Sequence, residues 1–250
     1  PETAVATALT GVLTDPRTLG MEYPAWRQPR RFLVDDRMVL APAAAGETVE
    51  IVRKETIGEP PRCSRLPDSL DGVVLLKVAD KITTDHIMPA GAYLKYRSNI
   101  PRYAQVVFEC FNESGKPTFA QRAATVRDAG RAGVILAGES YGQGSSREHA
   151  AICPMYLGVR AVIAVSIERI HAANLVNFGI LPLLLKDRAD YARVEAGDTL
   201  RIERLGEQLK PGAELTAAVV KADGTVAPLR LTHSLSAEDI AMVLKGGRLA

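Results

Sequence analysis

The residues best suited to chemistry in this 250-residue chain are Gly142-Gln143-Gly144-Ser145-Ser146-Arg147. An apolar run, Val134-Ile135-Leu136-Ala137, leads into them, and a helix-forming run, Glu148-His149-Ala150-Ala151-Ile152, follows. The order predicts a strand, a glycine-rich turn and a helix. Glycine lets a backbone turn tightly and approach a ligand closely. Ser145 or Ser146 then falls where the helix begins, among free N–H groups at the positive end of the dipole, with an arginine beside it. Such a grouping suits a small anion, or a serine oxygen that carries negative charge. The same residues also read as a serine-capped helix after a glycine turn. They fit neither the dinucleotide fingerprint, which needs a third glycine, nor a Walker loop, which needs Lys-Ser/Thr after the glycines.

A second polar cluster is Lys81-Ile82-Thr83-Thr84-Asp85-His86-Ile87-Met88-Pro89, with Lys95 and Arg97 close behind. It places hydroxyls, a carboxylate and an imidazole in one turn after a strand. As a plain alternative, Asp85 and His86 only cap that turn.

Bulk properties narrow the function classes. A net charge of +2 and a 47% hydrophobic content suit one sizeable core and argue against a nucleic-acid or membrane-surface protein. No apolar run approaches the ~20 residues that span a bilayer. The opening, Pro1-Glu2-Thr3, lacks a secretory pattern, and the chain reads as a piece of something longer. Cys63, Cys110 and Cys153 are an odd number without a Cys-x-x-Cys pair, so buried inert thiols in a reducing, cytoplasm-like compartment are expected, with no metal ligands assigned.

Residues 1–61 differ in style from the remainder. A short helix over Thr3–Leu9 gives way to the breakers Asp15-Pro16, Tyr23-Pro24, Gln28-Pro29 and Ala41-Pro42, and Val49-Glu50-Ile51-Val52 is too short to build a core. This reads as a tether. Beyond it, strands are expected at 73–78, 134–137, 161–164 and 180–184, and helices at 119–131, 147–157 and 168–178; residues 105–108 form a short strand or a helix turn. That alternation predicts a partly parallel α/β sheet whose ligands bind at the carboxyl ends of its strands. Antiparallel strands at 199–202, 215–221 and 226–231 follow, with a hairpin turn at Ala222-Asp223-Gly224-Thr225 and a last helix capped by Ser236.

Together, Thr83-Thr84-Asp85-His86-Ile87, Tyr141-Gly142-x-Gly144-Ser145-Ser146-Arg147-Glu148-His149 and Ile167-Glu168-Arg169-Ile170-His171…Asn174…Gly179-Ile180-Leu181-Pro182-Leu183 resemble the C-terminal, swivelling domain of the aconitase family. The resemblance covers about Leu70 to the C-terminus, and the opening residues are similar to the end of the preceding aconitase domain. It implies a three-layer β/β/α swivelling domain over residues 62–250, preceded by an extended linker over 1–61. It implies a hydro-lyase that interconverts citrate and isocitrate through cis-aconitate. Ser145 corresponds to the family's base, with Asp85, Thr84 and His86 at the mouth of the catalytic site. Arg97, Ser146 and Arg147 would bind substrate carboxylates beside Ser145. Met88 stands where some aconitases have a serine, which puts a polar role there in doubt. His149 and His171 receive no catalytic role.

The resemblance further implies a 4Fe-4S cluster, held by three cysteines of the other domains and not by this chain. The partners expected are a tricarboxylate and the cluster-bearing N-terminal domains of the same enzyme, with no membrane and no nucleic acid. This chain alone would be inactive. The location expected is cytoplasmic, or the mitochondrial matrix in a eukaryote. The alternatives are a separate small subunit of a related hydro-lyase (3-isopropylmalate dehydratase or homoaconitase), a non-catalytic RNA-binding module, or a plain anion-binding domain. That small subunit usually has Gln after the aspartate and lacks the tether. Its alkyl-bearing substrate would also leave Arg97 unpaired.

Overall fold

The computed structural model describes residues 1–22, 25–46, 48 and 50–250. The breaker Tyr23-Pro24 and the start of the expected short strand at Val49 lie outside the described residues. Two compact units are present, Pro1–Ile51 and Val52–Ala250.

In the first unit, α1 (Glu2–Thr10) ends at Gly11, whose left-handed backbone lets its N–H bond the Thr7 carbonyl. Asp15 caps the single turn Pro16–Thr18 through the Arg17 amide. No helix or strand follows among the described residues up to Leu70. Val5, Leu9, Leu13 and Trp26 are exposed.

The second unit runs β1 (Leu70–Val78), α2 (Thr84–Ile87), α3 (Ile100–Tyr103), α4 (Phe119–Asp128), β2 (Ala132–Ala137), α5 (His149–Tyr156), β3 (Val159–Ala164), α6 (Arg169–Asn177), β4 (Leu181–Leu185), β5 (Thr199–Ile202), α7 (Leu205–Gln208), β6 (Leu215–Val220), β7 (Val226–Thr232) and α8 (Ala237–Lys245). β1 to β4 pair in parallel. β4 pairs antiparallel with β7, β7 with β6, β6 with β5, and β5 returns to β1. The sheet therefore closes into a seven-stranded barrel. Residues 105–108 belong to a helical turn, not a strand.

The parallel strands are buried on both faces, which is why they read as continuous apolar runs. Val134, Leu136, Ala161, Ile163, Leu181 and Leu183 point into the barrel, against Leu200, Leu215 and Leu231 of the antiparallel half. Ile135, Ala137, Val162 and Ala164 point the other way, into a second core with Phe119 and Ala123 of α4 and Ala151 of α5. Two sheet layers and one helix layer result. Each valine, leucine, isoleucine or phenylalanine buried in this way contributes about 1.5–3 kcal/mol, and each alanine less.

Candidate active site

Past the carboxyl ends of β1, β2 and β3, the chain continues as three connected loops. Gly142 and Gln143 donate to the Ile82 carbonyl at 2.8 and 3.0 Å, and Thr84 donates to the Gln143 carbonyl at 2.8 Å. Tyr141 donates to Ser166 at 3.0 Å, and Glu168 donates back to Tyr141 at 2.9 Å. Single β-bridges, Thr83 with Gln143 and Tyr141 with Ile167, extend the parallel pairing into the loops. Ser140 holds a left-handed backbone, φ 59°, and its hydroxyl donates to Glu168 Oε1 at 2.5 Å.

Ser145 sits exposed on this platform. Its Oγ lies 3.4 Å from Oγ1 of Thr84, which is 2% exposed. A cleft of about 210 Å3 opens beside it, lined by Gly142, Gly144, Ser145, Glu168, Arg169 and His171 among others. The N–H groups of Gly144, Ser145 and Ser146 have no acceptor among the described residues. Consecutive unpaired amides with a positive-φ glycine, here Gly144 at 106°, make an anion-binding concavity.

One expectation is corrected. Ser145 and Ser146 do not open the helix. α5 begins at His149 with Glu148 as N-cap, and no side chain caps it. The Arg147 amide bonds back to the Ser145 carbonyl at 2.8 Å, which holds the chain in a tight turn before the helix starts.

Arg147 is drawn toward α2. Its Nη1 donates to Asp85 Oδ1 at 2.6 Å and to the Met88 carbonyl at 2.8 Å. Its Nη2 and Nε have no partner among the described residues, so one edge of the planar fork stays open to a carboxylate. The Met88 side chain is fully buried, and only its carbonyl faces the site. His86 serves the local backbone: Nδ1 accepts from the Thr83 amide, while the Thr83 hydroxyl accepts from the His86 amide, a capping box on α2. Arg97 and Ser146 are exposed, and neither they nor Arg147 line the Ser145 cleft. The Arg97 carbonyl is tied to His149 Nε2 at 2.9 Å, which links its segment to the start of α5.

The structure thus joins Thr84 to Ser145 and Asp85 to Arg147 through side-chain contacts, and does not bring Arg97, His86 or Ser146 into hydrogen-bond contact with those side chains among the described residues. Arg169, Glu168, Asn174 and His171 line the cleft without having been assigned to it from sequence. The signal for them in the sequence is the Ile167-to-Asn174 run, which carries a carboxylate, a guanidinium, an imidazole and an amide within eight residues.

His171 is 2% exposed, and neither ring nitrogen has a hydrogen-bond partner. Burial pushes its pKa down to about 4. Its ring meets Tyr141 edge-on at 5.2 Å and lies directly under Gly142, where an added Cβ would stand 2.2 Å from Cγ.

The cysteines occupy separate surroundings: Cys63 is buried against Arg160 and Cys153 is buried in α5, but Cys110, against the expectation of buried thiols, is exposed in a surface turn, where it donates to the His86 carbonyl. Among the described residues no three His, Cys, Asp or Glu side chains are grouped to hold a metal ion. No helix among the described residues is long and apolar enough to cross a membrane.

The profile of the aconitase C-terminal domain matches residues 75–188. A putative mitochondrial aconitate hydratase of Emericella nidulans is 38% identical over 191 residues, 70% of this chain and 24% of that protein. The mitochondrial aconitate hydratase of Gracilaria gracilis is 37% identical over 196 residues, 73% of this chain and 25% of that protein. The chain spans about a quarter of the length of these curated relatives. Among solved structures, 3-isopropylmalate dehydratase of Methanocaldococcus jannaschii superposes with a TM-score of 0.52 at 25% identity, over 72% of this chain and 90% of that one. The matched segment contains both polar clusters and all three bridged loops, and residues 75–188 accordingly carry the C-terminal domain of the aconitase family.

Proposed function

We propose that this chain is the C-terminal part of an aconitate hydratase and supplies the base and carboxylate-binding half of its active site. The observation that carries this reading is the exposed Ser145 hydroxyl, set 3.4 Å from Thr84 in a loop whose amides at 144–146 have no acceptor among the described residues.

A serine hydroxyl is a poor base in water and serves as one only where its alkoxide is stabilised by fixed donors and cations. The amides of residues 144–146 and the Thr84 hydroxyl provide such donors. Ser145 takes the proton from the substrate carbon adjacent to the departing hydroxyl. Arg147, steadied by Asp85, holds one carboxylate through Nη2 and Nε, and Arg97 and Ser146 close on another. Asp85, Thr84 and His86 keep the mouth of the site in shape. The cluster that the family uses belongs to the other domains, as does the remainder of the substrate pocket. Residues 1–61 then carry the end of the preceding domain and the linker. Relatives named as mitochondrial enzymes support a matrix location, with the cytoplasm as the alternative.

The test is Ser145→Ala in the complete polypeptide, followed by ultraviolet detection of cis-aconitate formed from citrate. The expected result is a fall in kcat of about 10^2–10^4-fold with citrate binding retained. A kcat within about twofold of the parent would refute the assignment. The likeness to 3-isopropylmalate dehydratase supports a second reading, and turnover of isopropylmalate in place of citrate would establish it.

A further inference from the structure

A second cleft, of about 590 Å3, lies at the amino ends of β1, β2 and β3. The strands run six to nine residues, so it stands roughly 20 Å from the Ser145 platform at their carboxyl ends. Five arginines line it, Arg62, Arg65, Arg127, Arg131 and Arg160, against a single acid, Asp71. The whole chain has a formal charge of only +2, so this concentration of charge is local.

The arginines are held in place by different means. Arg160 Nη2 donates to the Ser64 carbonyl at 2.5 Å and Nη1 touches Cys63, strapping the 62–65 segment across the strand ends. Arg131 pairs with Asp71 through Nε and Nη2 at 2.9 and 2.6 Å. Arg127 rests its stem over Gly158, where an added Cβ would stand 2.9 Å from its own Cβ; it donates to the Tyr156 carbonyl and pairs with Asp128 through Nε and Nη2 at 3.1 and 3.0 Å. Arg62 and Arg65 are exposed and have no ion pair or side-chain hydrogen bond among the described residues. Like charges gathered in one hollow repel unless an anion joins them. Five guanidiniums against Asp71 and the Asp128 that pairs with Arg127 leave an excess of three positive charges, which a chain of phosphates would offset. The guanidinium fork matches phosphate oxygens two at a time. The volume lies within the ~300–1,000 Å3 range of small-molecule sites.

We propose that this arginine-lined cleft binds a phosphate-chain anion of the triphosphate class, at a site separate from the one that handles carboxylates.

The experiment is isothermal titration of the full chain with inorganic triphosphate and, in a separate arm, with ATP. The parent binds both with one site per chain. Arg62→Gln/Arg65→Gln weakens both by about tenfold or more, as loss of charge-assisted contacts requires, while Ser145→Ala leaves both unchanged. Each single arginine variant gives part of the loss, and an unchanged melting temperature certifies the fold. Binding insensitive to the arginine changes, binding lost in Ser145→Ala, or weakening of ATP alone would overturn the proposal. Because Ser145 chemistry is read separately, failure here leaves the proposed function standing.

Discussion

Acidification should destabilise the second unit through His171. In the folded chain this imidazole is buried without a partner and titrates at about 4, against an ordinary value of 6.5. A depressed histidine pKa means that the unfolded chain binds more protons between those values. Stability is therefore full above pH 6.5, falls as the pH drops, and levels off below 4. With ~1.4 kcal/mol per unit, the whole effect is about 3 kcal/mol, and about 2 kcal/mol of it appears between pH 7 and pH 5. Urea unfolding of parent and His171→Phe at both pH values isolates it. Glu168 and Arg169, which line the same cleft, are present in both proteins and cancel. Circular dichroism is the suitable probe, since the single tryptophan, Trp26, lies in the other unit. The parent should lose about 2 kcal/mol more than the variant on going to pH 5. Losses that agree within ~0.5 kcal/mol would refute the burial argument.

Gly142→Ala should cost about 2–4 kcal/mol, because φ is 84° and the new Cβ enters the His171 ring; a melting point unchanged from the parent would contradict it. Asp85→Asn in the complete enzyme should raise KM for the tricarboxylate about 10- to 100-fold, what one charge-assisted hydrogen bond is worth, with the circular dichroism spectrum unaltered. Arg160→Gln releases the strap over Cys63, and the thiol should then react faster with a thiol-specific disulfide reagent; equal rates would show that the strap does not shield it.

The parallel half of the fold was legible because buried strands such as Val134–Ala137 and Ala161–Ala164 are short apolar runs that end at glycine or polar turns. Caps were legible where the residue type settles them, as at Ser236. Closure of the barrel was not. It rests on Leu70–Val73 pairing with Thr199–Ile202, a contact between segments more than a hundred residues apart that leaves no local pattern. The start of α5 was misjudged because glycine, serine and arginine in succession satisfy the rules for a cap, while the deciding bonds, Arg147 to Asp85 and Thr84 to Ser145, come from another loop. His171 and Arg169 went unassigned for a similar reason. A histidine in a helical run has the same local appearance whether it faces a core or a cleft.

The first strand is the seam of the closed sheet. It bonds β2 along one edge and β5 along the other, so deleting it would uncover two rows of amides and carbonyls at once. Such rows template pairing with other chains. A fragment trimmed past Leu70 should therefore aggregate rather than fold, whereas shortening the hairpin at 221–225 would leave the ring of strands shut.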